Sequence, residues 1–134
     1  MIEPSQQLAI LALYAEYNRT IDAGDAASWA STFLEDGVFH HPSRRFCGHS
    51  ELEEFVRARV EKLAAHDVIH QRHWNDEISL SGAGDLVHGQ CLLIVAGVDR
   101  DSHKPSAVAM GSYVDEIVKV GLQWRFKQRA LRVF

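Results

Sequence analysis

The sequence predicts an α+β fold in which three N-terminal helices pack on a curved, mainly antiparallel sheet that encloses a pocket. Three observations carry this. Apolar residues recur at helical spacing within the N-terminal half, the period changes to two from about residue 67, and four strand-length segments then follow between turn signals. Helices first and strands after them is the pattern of segregated layers, not of alternating parallel units. A sheet curved around helices leaves a cone with a cavity inside, and small ligands bind in such cavities.

Ile10, Leu13, Tyr14, Tyr17 and Ile21 give a first helix, about Pro4 to Ala23, its buried stripe, with Pro4 tolerated in the first turn. Gly24 reads as its stop. Asp25 reads as the N-cap of a short second helix through Leu34, on which Trp29 and Phe33 share a face four residues apart. Glu35, Asp36 and Gly37 read as a turn, Val38 to His41 as a short strand closed by Pro42, and residues 43–49 as a loop. Ser50, with Glu53 three residues on, has the capping-box pattern of a third helix, buried through Leu52, Phe55, Val56, Val60 and Leu63. The later strands span about 67–80, 86–98, 107–118 and 122–134, with breaks at 81–85, 99–106 and Gly121.

The 134 residues read as a single domain with one core; 46% are apolar and 24% charged, the balance of a globular protein. A net charge of −4 without any basic run argues against nucleic acid. No apolar run approaches the ~20 residues of a membrane span, and the first residues do not resemble a signal peptide, so the expected compartment is the cytoplasm. Cys47 and Cys91 belong to no CxxC pair and read as reduced thiols. His70 and His73, three apart in a strand, face opposite ways and make a poor chelate; neither a metal nor a cofactor is expected. Along the strand 86–98, Cys91, Leu93 and Val95 lie on one face and Leu92, Ile94 and Ala96 on the other. Both faces therefore call for burial. Helices take one, and a second subunit covering the other is the economical expectation, giving a homodimer through the sheet.

His73 is the central candidate, a histidine inside a strand beside Trp74 and Asn75, where it can be buried yet titratable. Asn75 shares its face, and Trp74 points the other way with Ile78 and Leu80. His40 and His41 are adjacent in a strand, so only one enters the cavity. On the last strand the apolar parity shifts between Trp124 with Phe126 and Leu131 with Val133, which predicts a bulge near Arg129. Arg129 either binds an anionic group of a substrate or forms a surface ion pair.

Several short segments along the whole chain carry a resemblance: Asp22-x-Gly-Asp25 with Trp29 and Phe33, residues 35–39, Gly48 with Leu52 and Phe55, Arg72 to Asn75, Gly111 to Asp115, and Trp124 to Phe126 with Arg129. Together they resemble the NTF2-like superfamily and, within it, the SnoaL-like proteins. The resemblance implies the cone fold over residues 1–134 and a small ligand in the pocket, but no single reaction. Asp22 and His73 stand where scytalone dehydratase and hexachlorocyclohexane dehydrochlorinase carry an Asp–His dyad. The dehydratase's second histidine falls on Cys91, and its first-strand tyrosine near His40. Similarity of residues 17–42 to ketosteroid isomerase puts Tyr17 at an oxyanion-binding tyrosine and His41 at the base aspartate, with Tyr113 near the second oxyanion donor. The implied site is catalytic Asp22 and His73, with Tyr17, His41, Asn75, Cys91, Tyr113 and Arg129 against the substrate. Three functions follow, the third a polyketide-cyclase-like role with a polycyclic ligand in the cavity. One is a cofactor-independent lyase or isomerase acting on a cyclic or aromatic-derived molecule, in which Asp22 orients His73 for proton abstraction. Another is a non-catalytic binding or accessory subunit similar to the β subunits of aromatic-ring dioxygenases, with Asp22 and His73 serving only structure.

Overall fold

The structure is a computed structural model that describes residues 2–134. In chain order the elements are α1 Pro4–Ala23, α2 Ala26–Ala30, β1 Phe33–His40, β2 Arg45–Cys47, α3 Gly48–Ala64, β3 Val68–Ala83, β4 Leu86–Asp99, β5 Pro105–Val120 and β6 Gln123–Val133. The strands form one sheet in the order β2-β1-β6-β5-β4-β3. Neighbours are antiparallel except β1, which runs parallel to β6. The first long strand thus lies beside the last, and the helices cover one face of the sheet, as an α+β cone requires. No helix among the described residues is long and apolar enough to cross a membrane.

α1 has the expected bounds because its stop is built in. Gly24 adopts a left-handed φ of 69°, and its N–H closes on the Ile21 carbonyl. The missing side chain serves packing as well, since a Cβ there would stand 2.8 Å from Val60 Cγ2 on α3. Asp25 caps α2 by accepting from the Ser28 N–H at 3.2 Å.

Five expectations need correction. α2 ends at Ala30 rather than Leu34, because Ser31 and Thr32 turn their hydroxyls back onto the Ala27 and Trp29 carbonyls and close the last turn. Phe33 is therefore a strand residue, yet its ring still meets Trp29 edge-on at 5.3 Å. Residues 35–37 lie inside β1, as an irregularity in its pairing with β6, and part of the expected loop 43–49 is β2. α3 begins at Gly48, before Ser50, with Glu51 Oε1 accepting from the Cys47 N–H at 3.0 Å. Its stripe also differs, since Val60 is 45% exposed.

Register shifts in β3, at Val108 in the β4–β5 pair and in the β5–β6 pair bend the sheet. In β3 they coincide with left-handed residues His70 and Glu77. The second shift turns Leu80 inward against the core, away from the outer face that Trp74 and Ile78 keep. In β6 the extra residue is Lys127, between Phe126 opposite Ile117 and Gln128 opposite Glu116. Here the expected bulge near Arg129 is found. Inside the cone, Tyr17, Trp29, Phe33, Phe39 and Phe126 form a chain of ring contacts at 5.3–6.4 Å. Such contacts contribute about 0.5–1.5 kcal/mol each beyond area burial.

Candidate active site

α1 lies across β3, and two pairs of side chains fasten it there. Asn18 and Asp22, one turn apart on one face of the helix, meet Asn75 and His73, two apart on one face of the strand. Asn18 Nδ2 donates to Asn75 Oδ1 at 2.8 Å, while Asn75 Nδ2 donates to the Leu92 carbonyl. Asn75 is thereby a clamp between helix and sheet and does not line the cavity. Asp22 Oδ1 lies 2.7 Å from His73 Nδ1, and the backbone N–H of His73 also donates to both carboxylate oxygens at 3.1 and 3.2 Å. The carboxylate fixes the tautomer with hydrogen on Nδ1. Nε2 is left as the nitrogen available to a ligand.

The cavity, about 190 Å³, lies between α1, α3 and the inner face of the sheet. Its walls are largely apolar, with Ile21, Phe39, Phe55, Leu93, Val95 and Leu131 among them. Against these stand six polar side chains: Tyr17, His41, Arg59, Gln71, His73 and Tyr113. Burial pushes the His73 imidazole below its ordinary value of 6.5, outweighing the upward pull of Asp22, and the Arg59 and Arg129 charges push the same way. His73 is therefore neutral near pH 7. Tyr17 and Tyr113 touch hydroxyl to hydroxyl at 3.4 Å. Burial raises both phenols, so both stay protonated; one donates to the other and the second proton remains for a ligand oxygen.

Of the adjacent histidines, His41 lines the cavity, whereas His40 Nε2 meets Gln128 Oε1 at 3.1 Å. Ser43 donates its backbone N–H to His41 Nδ1, which leaves the ring hydrogen of neutral His41 on Nε2. Burial, then the charge of Lys62, lowers the His41 pKa. Cys91 and Arg129 lie behind the tyrosines rather than in the cavity wall. Arg129 is fully buried, so it is no surface ion pair. Its Nε donates to Asp115 Oδ1 at 2.9 Å, its Nη2 to Cys91 Sγ at 3.5 Å, and its guanidinium carbon sits 3.5 Å from the Tyr113 ring centroid. Rings of Tyr14, Tyr17 and Phe126 complete the surround at 4.3–4.9 Å. Burial pushes the Cys91 thiol up to about 11, so it is not a thiolate at neutral pH.

Arg59 is the residue that the sequence reading missed. It extends from α3 into the cavity wall, its Nη1 3.5 Å from the Ile21 carbonyl near the end of α1. A signal was present. Leu52, Phe55, Val56 and Arg59 stand at i, i+3, i+4 and i+7, so the arginine occupies the apolar stripe where Val60 was expected. No group of three His, Cys, Asp or Glu side chains suited to a metal occurs among the described residues.

Comparison with known proteins agrees with this architecture. A structure of a protein of unknown function from Mycobacterium tuberculosis is 28% identical, with a TM-score of 0.86 over 98% of this chain and 78% of that one. A provisionally assigned scytalone dehydratase from Novosphingobium aromaticivorans is 20% identical, with a TM-score of 0.79 over 97% of this chain and 85% of its own. An NTF2-like protein with a cystatin-like fold from the same species is 18% identical, with a TM-score of 0.79 over 100% of this chain and 92% of its own. The last two likenesses speak for the fold alone. No curated protein matches the chain. The model of the SnoaL-like domain matches residues 3–130, and the chain belongs to that family of NTF2-like proteins.

Proposed function

We propose that this protein is a cofactor-independent lyase or isomerase in which His73 removes a proton from a cyclic or aromatic-derived small molecule. The observation that carries the reading is the 2.7 Å contact of His73 Nδ1 with Asp22, beside an apolar cavity that His73 lines. In this reading Nε2 takes a proton from carbon next to a carbonyl, the electron pair moves onto the carbonyl oxygen, and Asp22 stabilises the imidazolium. A phenolic proton from Tyr17 or Tyr113 hydrogen-bonds the developing enolate, and Arg59 adds positive charge. The enolate then expels a leaving group from the adjacent carbon or takes a proton back elsewhere. A departing hydroxyl takes the proton that the His73 imidazolium holds, with the His41 Nε2–H as a hydrogen-bond donor at the cavity wall, a role Cys91 does not fill.

Deuterium exchange tests the proton step without presuming a leaving group. In heavy water, a panel of cyclic ketones and β-hydroxy ketones is followed by NMR for exchange next to the carbonyl. Exchange that depends on His73 is expected. Equal exchange by wild type and His73→Ala ends the mechanism and leaves a binding protein.

The same reading includes a homodimer. Trp74, Ile94 and Met110 stand in register across β3, β4 and β5 on the face away from the helices, exposed by 63%, 39% and 52%, with exposed Val114 nearby. A second copy covering this face accounts for it. Light scattering should give twice the chain mass, and Trp74→Glu should halve it; a monomeric wild type refutes the dimer.

A further inference from the structure

A second depression adjoins the cavity, and its chemistry is different. Its volume is about 500 Å³, and His41, Phe55 and Arg59 line both it and the cavity. Beyond these shared residues its wall includes Arg44 and Lys62, with Glu54 the one carboxylate. Three permanently basic groups thus face one acidic group, in a chain whose net charge is −4.

Two of the cations lack a strong internal partner. Among the described residues neither Arg59 nor Lys62 forms an ion pair, and Arg59 has only its long contact with the Ile21 carbonyl. Burial lowers the pKa of Arg59, the expected sign for a guanidinium held out of water without a close carboxylate. Arg44 pairs with Glu51 at 3.2 Å while lying over the Phe46 ring at 4.3 Å. Size points the same way. The cavity alone falls below the ~300–1,000 Å³ of ligand pockets for drug-sized molecules, and with the vestibule included the site falls inside that range.

We infer that the ligand is an amphiphilic anion, its apolar part in the cavity and its carboxylate or phosphate in the vestibule, held by Arg59, Lys62 and Arg44. The inference rests on the cavity being the ligand site, as proposed above, and not on His73 being a base. Arg59 stands where the two spaces meet and serves the anion from the inner side. Lys62 and Arg44 meet it from the outer side, and Glu54 disfavours an anion placed against it.

Calorimetric titration at low ionic strength with phenylbutanoate, phenylpropyl phosphate and the neutral phenylbutanamide tests this. In wild type at least one anion should bind about tenfold or more tightly than the amide, as a single charge-assisted hydrogen bond would give. The anion that gains more identifies the group. The double variant Arg44→Ala, Lys62→Ala, which leaves Arg59 alone against the anion, should lose most of that preference while keeping its affinity for the amide, and added salt should erode the preference in wild type. His73→Ala should keep it, which separates this inference from the base mechanism. Lys62→Gln alone, on an exposed helix position, should lose part of it. Equal affinities, a preference undiminished by the double substitution, or no saturable binding of any of the three probes overturns the inference.

Discussion

Two aspartates sit inside this cone, each against a basic partner, and their surroundings differ. Asp115 and Arg129 have no exposed side-chain surface, whereas Asp22 and His73 keep about a tenth of theirs. Around Asp115 every donor is fixed: Arg129 Nε at 2.9 Å, the Tyr14 hydroxyl at 2.7 Å, and a cage of rings about the guanidinium. Burial pushes the Asp115 carboxyl upward and the arginine beside it pulls it back, and the carboxylate in turn raises Arg129, which is always charged. Asp22 instead holds a partner that burial keeps neutral and that borders a cavity. A sealed pair with a permanent cation gives structure, and in the function proposed above the pair with a titratable partner at a cavity wall serves as the proton acceptor. The same carboxylate chemistry serves both, and the identity and access of the base decide between them.

The contrast breaks hardest at Arg129. Arg129→Ala should cost about 3–5 kcal/mol in urea unfolding, because it strands a buried carboxylate. His73→Ala should cost only about 1 kcal/mol, since the residue 73 backbone N–H still bonds Asp22, but should lower any turnover about 10²- to 10⁴-fold. A large stability loss at His73 would erase the distinction. Tyr14→Phe removes one of the two donors to Asp115 and should cost about 1.5–3 kcal/mol. For pH, the sign follows from the depressed His73 pKa. The unfolded chain takes up that proton first, so stability from neutral His73 is complete above pH 6.5 and is lost as pH falls from there through the folded pKa. Denaturation midpoints between neutral pH and pH 5 should fall in wild type and fall less in His73→Phe. The smallest effect is spectroscopic: Asp22→Asn removes the upward pull, so NMR titration should find the His73 pKa lower still.

Much of the fold was legible because the hydrophobic period switches from helix to strand at one place, and because Gly24, residues 81–85 and Gly121 are strong punctuation. The misread elements are those in which tertiary contacts overrule local pattern. Phe33 fits a helix face, yet the sheet claims it. Leu80 has the parity of the outer face until a bulge at Glu77 turns it inward. Arg129 was singled out, but its partner was hidden by a single residue. Counting back from the turn at Gly121, Asp115 would face Gln128, and the bulge at Lys127 places it opposite Arg129 instead. Asp22 and His73 stood out through resemblance, since nothing local links positions 51 apart. Arg59 was lost to a stripe one residue out of phase.

Those separations bear on the order in which the molecule assembles. Asp115 and Arg129 are 14 residues apart across the β5–β6 hairpin, so their encounter closes a short loop. Asp22 and His73 meet only after α1 has docked on a strand 51 residues later in the chain. If short loops close first, the core pair is expected among the early contacts and the Asp22–His73 pair among those made after the transition state, which folding and unfolding rates of the variants would show. Substitutions at Asp115 or Arg129 would then slow folding, whereas those at Asp22 would mainly hasten unfolding. A chain with its hairpin formed but α1 undocked would be compact and without a working site.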